Sequence, residues 1–246
     1  MRQPDLSIII PAYREAAVIE SSLSKLAEWL KGHNYGDVEV LVVVADSPDG
    51  TAKLAERCAK DFASLRVVHA GPRVGKGRDV RLGMLEATDR YRLFMDADLA
   101  TPLVHLDDVW RLMEHDATIA IAVRNLWSIH KQLSRKIITQ AGNVLARFVL
   151  LSGIKDTQCG FKLFSAEATE AIFPKLTILG WGFDLEVLAI ARKLKYPIDF
   201  IDTPDWRDPK AHTAGLAGDS TGGAALQVLG DLLRIRWNII RGRYKS

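Results

Sequence analysis

The 246-residue chain is 48% hydrophobic and 26% charged, and its formal net charge is +3. Such a composition is typical of a globular protein with one large α/β domain or two small ones, and it gives no support to nucleic-acid binding. The most apolar stretch, residues 144–151, is interrupted by Arg147 and is far shorter than the roughly 18–20 residues of a membrane span. Two cysteines, Cys58 and Cys159, and no signal sequence predict reduced thiols in a cytoplasmic protein, soluble or peripheral to a membrane.

Apolar runs alternate with helical periodicity through the first half of the chain. Strands are predicted at 6–10, 38–44, 65–69 and 91–95, and helices at 15–31, 51–62, 75–88 and 103–115. Alternation with short connections predicts a mostly parallel sheet covered by helices on both faces. Because such crossovers are right-handed, we expect the loops at 11–15, 45–51 and 96–101 to share one edge of the sheet.

The second half is less regular. Strands are predicted at 119–123, 159–164 and 198–201, helices at 134–151, 166–173, 183–194 and 224–241, and a mobile Gly-rich loop at 207–223. No internal repeat or linker appears, so a single domain is expected.

Two carboxylates follow the strand predicted at 91–95. Asp96 and Asp98 are two residues apart and lie just past the strand's carboxyl end, where open α/β sheets bind ligands. Their hard oxygen atoms suit Mg²⁺ or Mn²⁺ held jointly with a substrate diphosphate. Taken alone, the pattern is equally consistent with a solvated turn or an N-cap of the next helix.

Two further loops contain residues that could take part in binding a ligand. The backbone N–H groups of Gly75-Lys76-Gly77 open a helix and could approach a phosphate, with Lys76 adding charge. The alternative for this segment is a plain glycine turn before a helix. The first strand–helix loop contains Tyr13 and Glu15. From the residues alone, Glu15 is better explained as a first-turn acid favoured by the helix dipole.

Several segments resemble known enzymes in their order and spacing. SIIIPAYREAAVI, VVVADSPDGT, VGKGRDVRLGMLEA and DADLATP resemble the family-2 glycosyltransferases, which have the GT-A fold. DTQCGFKLF, GWGFDLEVL and TPDW resemble the polyprenyl-phosphate glycosyltransferases, and the first two favour the glucosyl type over the mannosyl type. The resemblance covers roughly residues 5–206.

The resemblance implies inverting transfer of a hexose from a nucleotide sugar to a polyprenyl phosphate of the dolichyl or undecaprenyl type. UDP-glucose is the expected donor, and GDP-mannose is the alternative. A soluble or glycan acceptor, or a non-catalytic nucleotide-sugar-binding subunit, are further alternatives. Within the single domain 1–246, residues 5–124 are expected to bind the nucleotide sugar and 125–206 the acceptor and sugar, with 207–246 forming a mobile loop and an amphipathic helix.

The same resemblance assigns roles to individual residues. Asp98, Arg124 and Arg135 are implied to be catalytic, the two arginines clamping an acceptor phosphate that needs no strong base because it is already ionised. Asp96 and Asp98 are implied to bind the metal. Donor binding is assigned to Pro11, Tyr13, Glu15, Asp46, Lys76, Asp96, Gln158, Trp181 and Asp184.

The sequence departs from the family in three places. Ala100 replaces a glutamine that joins the metal in the mannose synthases, so water would complete the metal's coordination. The Ala45-Asp46-Ser47 loop is one residue short. The usual tail motif is absent, and Arg207, Lys210 and His212 are candidate substitutes.

Residues 225–245 place Leu226, Leu229, Leu232, Leu233, Trp237 and Ile240 among four arginines and a lysine. A basic amphipathic helix of this kind suits an anionic membrane surface. The alternative is a C-terminal helix packed on the sheet, with basic residues favoured at its end. The apolar helix predicted at 137–151 is a second candidate for membrane contact.

Overall fold

The computed structural model describes residues 5–33, 37–124, 154, 156–207 and 221–245, and within 221–228 the side chain of Gln227 alone. In these described residues seven strands form one sheet: β1 Leu6–Ala12, β2 Glu39–Ala45, β3 Ser64–Gly71, β4 Tyr91–Met95, β5 Ile119–Arg124, β6 Phe161–Ser165 and β7 Asp199–Thr203. Their spatial order is β3-β2-β1-β4-β6-β5-β7. Among the described strands, β6 alone runs antiparallel to its neighbours, β4 and β5, so the sheet is mostly parallel, as predicted.

Seven α-helices accompany the strands in the described residues: α1 Ile19–Gly32, α2 Thr51–Cys58, α3 Lys76–Glu86, α4 His105–Glu114, α5 Ala166–Ile172, α6 Phe183–Lys193 and α7 Thr221–Ile240. Short 3-10 turns at Ala59–Asp61 and Phe173–Lys175 extend α2 and α5. These match the predicted elements, except that the helix predicted at 134–151 lies outside the described residues.

Helices cover both faces of the sheet. One buried cluster joins the sheet to α1, α2 and α4, and the other joins it to α3, α5, α6 and α7. Residues Val40–Ala45 of β2 are all buried, which explains why this strand appears as a continuous apolar run rather than an alternating one. Both cysteines are buried and free, in agreement with the predicted thiols.

Several predicted boundaries differ from the observed ones by a few residues, among them those of β1, α1 and α7. β1 continues through Pro11 to Ala12, because pairing with β4 ends at Ile9 and the missing N–H of Pro11 breaks no bond on that side. The helix predicted from residue 15 begins at Ile19, after a turn in which the Glu15 carbonyl accepts bonds from Val18 N and Ile19 N. The helix predicted from residue 224 begins at Thr221.

Candidate active site

Asp96 and Asp98 follow β4 directly, at the carboxyl edge of the sheet. The ammonium group of Lys76, the first residue of α3, forms an ion pair with Asp96. Asp98 Oδ1 accepts a hydrogen bond from Ala100 N at 3.0 Å, which holds the turn after the strand. Burial alone would lower the pKa of Lys76, but Asp96 and Asp184 raise it above its usual value, so Lys76 stays charged. The edge therefore presents two carboxylates and one ammonium group at one point.

The first strand–helix loop adds a third carboxylate. Burial and the nearby charges of Asp98 and Asp96 raise the pKa of Glu15 to about 7. Because Glu15 lies in a turn before α1, its placement is not that of an acid in a first helical turn. The sequence prediction that loops 11–15 and 96–101 share one edge is confirmed.

The loop after β2 is tied to the same edge by its own side chains. Asp49 accepts hydrogen bonds from Ala16 N at 3.0 Å and from Thr51 N and Oγ1 at 3.2 and 2.7 Å, and Arg14 N donates to Ser47 Oγ at 2.9 Å. Burial opposes ionisation, but these bonds and one from Ser47 outweigh it and lower the pKa of Asp49 to about 2. Asp49 thus fixes the start of α2.

Glycines around this edge permit close approach. A Cβ on Gly160 would lie 2.0 Å from Asp96 Oδ2, and Asp96 N donates to the Gly160 carbonyl at 3.0 Å. A Cβ on Gly75 would lie 2.5 Å from the Leu179 carbonyl oxygen, and one on Gly77 would lie 2.5 Å from Phe183 Cβ. The glycines that flank Lys76 are therefore required for the close packing of α3 against the loop before α6 and against Phe183, the first residue of α6.

Arg124, the last residue of β5, is paired with a buried partner. Its Nε and Nη2 donate to Asp156 Oδ2 and Oδ1 at 2.6 and 2.9 Å, and its backbone N donates to Oδ2 at 3.2 Å. Burial would raise the pKa of Asp156, but Arg124 outweighs it and holds the pKa below its usual range. The guanidinium group lies 5.2 Å from the Trp206 ring centroid. Sequence reasoning placed Arg124 at a strand end but missed Asp156 as its orienting partner.

A second buried ion pair joins Lys162 and Asp184. Lys162 of β6 is fully buried, and its Nζ donates to Asp184 Oδ1 and to the Cys159 carbonyl, both at 2.5 Å. Asp184, in the first turn of α6, is 4% exposed, so its carboxylate faces Lys162 inside the protein. Donor binding by Asp184 stays a prediction. The sequence could have indicated the missed partner, because Lys162 is the one charged residue in the otherwise apolar run CGFKLF.

Other predicted donor residues lie around the same rim. Trp181 is 60% exposed, and Lys76 Nζ lies 5.4 Å from its ring centroid. The Arg73 guanidinium covers the Tyr13 ring at 3.7 Å from the centroid. Asp46 is exposed at the end of β2, and the half-buried Gln158 donates from its backbone N to Asp156 Oδ1 at 3.1 Å. Their roles toward a donor stay predictions.

Arg135, Lys210 and His212 lie outside the described residues. Among the residues that the structure describes, no group of three or more His, Cys, Asp or Glu side chains is arranged to hold a metal ion. Asp96 and Asp98 still fit a divalent cation that takes its remaining ligands from diphosphate oxygens and water, as Mg²⁺ commonly does. One carboxylate of this pair, Asp96, already attracts a cation, because Lys76 forms an ion pair with it.

Comparisons with known proteins agree with this geometry. Residues 7–173 match the model of Glycosyl transferase family 2. The dolichyl-phosphate beta-glucosyltransferase of Dictyostelium discoideum is 30% identical, over 98% of this chain and 76% of its own length. The protein of the same name from Saccharomyces cerevisiae is 29% identical, over 98% of this chain and 77% of its own length.

A solved structure shares the fold. Glucosyl-3-phosphoglycerate synthase from Mycobacterium tuberculosis, in complex with Mn²⁺, UDP-glucose and phosphoglyceric acid, superposes with a TM-score of 0.67 at 17% identity, covering 94% of this chain and 79% of that chain. The family match extends over most of the chain. It includes β1 to β6 and the sheet edge formed by Asp96, Asp98 and Lys76, which we name the carboxylate edge. The protein therefore belongs to glycosyl transferase family 2 and has the GT-A fold.

Proposed function

We propose that this protein transfers glucose from UDP-glucose, with inversion, to the phosphate group of a polyprenyl lipid. The observation that carries the proposal is the carboxylate edge formed by Asp96, Asp98 and Lys76, with the oriented arginine Arg124 on β5 of the same sheet. The dolichyl-phosphate beta-glucosyltransferases that are similar over nearly the whole chain support both the sugar and the lipid.

On the donor side, Asp96 and Asp98 would hold Mg²⁺ or Mn²⁺, which neutralises charge on the departing diphosphate when bound. The solved neighbour with Mn²⁺ and UDP-glucose supports a divalent cation. Lys76 supplies a further positive charge beside Asp96. Tyr13, Asp46 and the exposed Trp181 border the same edge and are the proposed contacts for the nucleoside and the sugar.

On the acceptor side, an oxygen of the lipid phosphate attacks the anomeric carbon of glucose directly, and the bond from that carbon to the diphosphate oxygen of UDP breaks. A phosphate monoester is ionised near neutral pH, so alignment and charge compensation replace a general base. The bidentate bond to Asp156 fixes the plane of the Arg124 guanidinium before any acceptor arrives, which lowers the entropic cost of holding the phosphate. Arg135 is proposed as the second clamp.

The proposal is tested by a transfer assay on purified protein. Radiolabelled UDP-glucose or GDP-mannose is mixed with polyprenyl phosphate in detergent and Mg²⁺ or Mn²⁺, and label is counted in the organic phase. Metal-dependent label from UDP-glucose alone is expected. The matched control acceptor is the same polyprenol without its phosphate, which should receive no label.

The outcomes separate the alternatives. Label from GDP-mannose alone would overturn the choice of sugar. Label in the aqueous phase with a soluble acceptor, and none in lipid, would overturn the choice of acceptor. UDP binding without transfer to either type of acceptor would favour a non-catalytic binding subunit.

Helix α7 supports a peripheral membrane position for this site. None of the helices in the described part of the chain is both long and apolar enough to cross a membrane. Four large apolar side chains are exposed on α7: Leu229 (42%), Leu233 (63%), Trp237 (53%) and Ile240 (66%). They recur at three- or four-residue spacing, so they form one stripe along the helix. We name these four residues the α7 stripe.

Cationic residues flank the α7 stripe. By helical geometry, Arg236 lies on one side of the stripe and Arg234 and Arg241 on the other. The Arg241 guanidinium lies 4.4 Å from the centroid of the Trp237 ring. An apolar stripe between cations is complementary to an anionic lipid surface, where the side chains bury and the arginines meet headgroups.

The opposite face of α7 is fixed to the protein. Leu232 and Ile235 are buried, and Asn238 Nδ2 donates to Tyr244 Oη at 2.9 Å. Tyr244 Oη donates in turn to the buried Glu186 at 2.5 Å. The two sequence alternatives for this helix, packing on the protein and membrane contact, therefore involve different faces and are compatible.

Replacing Leu233 and Trp237 together by glutamate is expected to reduce binding to anionic vesicles by at least ~10-fold, because two exposed apolar side chains that would enter the lipid surface become charged. Co-sedimentation with vesicles containing phosphatidylserine measures this loss. Phe200→Glu, a comparably exposed apolar residue (43%) on β7, is the matched control and should bind like the unaltered protein. Equal binding of all three proteins, or binding that is indifferent to salt, would contradict a membrane role for α7.

A further inference from the structure

A cleft of about 810 Å³ opens beside Asp98, between α1 and the loop that connects β4 to α4. Its wall is mainly apolar, formed by Trp29 of α1 and by Leu99, Ala100, Pro102, Leu103 and Val104. Val104 is 47% exposed. The size is that of a ligand site, and large apolar side chains left accessible beside a catalytic edge indicate a binding surface.

The backbone at the mouth of the cleft is in an uncommon conformation. Leu99, between Asp98 and Ala100, has φ +54°. A branched apolar residue is disfavoured in the left-handed region, and such strain concentrates at functional sites. The turn places Leu99 in the cleft wall directly beside the carboxylate Asp98.

Charged side chains also line the cleft: Lys25 and Glu28 on α1, and Asp98 and Arg207 at the other wall. Arg207 lines the cleft, and its backbone N donates to the Ala100 carbonyl at 3.0 Å, so it lies at the Asp98 end. The loop before Arg207 is held to α4 by a 2.7 Å hydrogen bond between His105 Nε2 and Asp205 Oδ1. From this end the cleft extends along α1 to His33, at the last turn of the helix.

We infer that this cleft binds the isoprenoid chain of a polyprenyl acceptor, with the phosphate at the Asp98 end and the chain along Trp29, Leu103 and Val104, so that a longer chain fills more of the cleft than a short one. The inference rests on the proposed function and names the chain-binding part of that site. A sugar or nucleotide would need hydrogen-bonding partners along its length, and the wall from Leu99 to Val104 offers apolar side chains, which suit a hydrocarbon. Arg207 at one end of an apolar wall matches a lipid monophosphate.

The test compares acceptors of different chain length. Val104→Glu places a charge in the cleft wall at an exposed position, so folding is unaffected. We expect the KM for a long polyprenyl phosphate to rise ~10-fold or more, because a carboxylate disfavours the apolar chain. The KM for UDP-glucose, and that for a prenyl phosphate of two isoprene units, should change far less. Leu85→Glu, an apolar residue of similar exposure (40%) on α3, is the matched control.

Direct binding distinguishes failure of this inference from failure of the proposed function. Retention of radiolabelled polyprenyl phosphate by immobilised protein, measured without donor, should fall in Val104→Glu and stay unchanged in Leu85→Glu. Equal retention by both variants, or an equal rise in KM for long and short acceptors, would overturn the cleft assignment while leaving glucosyl transfer intact. Transfer of glucose to a soluble acceptor, with no polyprenyl phosphate retained by the unaltered protein, would overturn both.

Discussion

Asp98→Asn is expected to lose glucosyl transfer by ~10³-fold, which corresponds to about 4 kcal/mol of transition-state stabilisation. Asparagine keeps the shape of the side chain and an oxygen that can accept the bond from Ala100 N, so the turn after β4 is preserved. What is lost is the charge that, with Asp96, would hold the divalent cation against the departing diphosphate. The measurement is kcat/KM for UDP-glucose together with calorimetric Mn²⁺ binding in the presence of UDP.

The control for this variant is Asp116→Asn. Asp116 forms a surface ion pair with Arg90, and its φ of +54° is one that asparagine adopts readily, so both activity and stability should change little. If Asp98→Asn turned over within a few-fold of the unaltered protein, or bound Mn²⁺ with UDP equally well, the metal assignment would be wrong. A loss of both activity and thermal stability would instead indicate a structural role for the carboxylate.

Lys162→Met is expected to lower the free energy of unfolding by about 3–5 kcal/mol, the range for breaking a buried ion pair by removal of one partner. Methionine fills a similar volume, but it leaves the Asp184 carboxylate and the Cys159 carbonyl without the ammonium group that binds both at 2.5 Å. Because Cys159 precedes Gly160, whose carbonyl accepts the bond from Asp96 N, the change also loosens support for the carboxylate edge. Urea denaturation at constant pH measures the loss.

A double replacement isolates the cause. Lys162→Met combined with Asp184→Leu removes both charges, and apolar replacement of a whole buried pair is often close to neutral, so most of the stability should return. Lys193→Met, at an exposed position on α6, should change stability by less than about 0.5 kcal/mol. If the double variant were as unstable as Lys162→Met, the loss would come from packing rather than from an unpaired Asp184.

The outline of the fold was predictable because its signals are local. The run Tyr91–Met95 was predicted as a strand with the bounds the structure shows, and Asp96 and Asp98 follow it at the sheet edge. An apolar run between turn residues depends on neighbours in sequence, so no distant contact is needed to find it. Arg124 at the end of β5 was found for the same reason. The start of α1 was less predictable, since the turn before it is held by contacts with another loop.

The resemblance carried by ordered motifs indicated the family before any geometry was known, and the family comparison confirmed it. Spacing along the chain could not indicate which charges pair. Arg124 and Asp156 are 32 residues apart, and Lys162 and Asp184 are 22 apart. Both pairs depend on β6 entering the sheet antiparallel between β4 and β5.

By itself, then, the sequence determined the strand–helix order, the family and the carboxylates at the sheet edge, because each depends on residues close together in the chain. Only the tertiary structure decided that Asp184 turns inward to Lys162, that Asp156 orients Arg124, and that an apolar cleft opens beside Asp98. These features arise where elements from distant parts of the chain pack together. Strand order, register and the gap between two helices are set by that packing and not by local propensity.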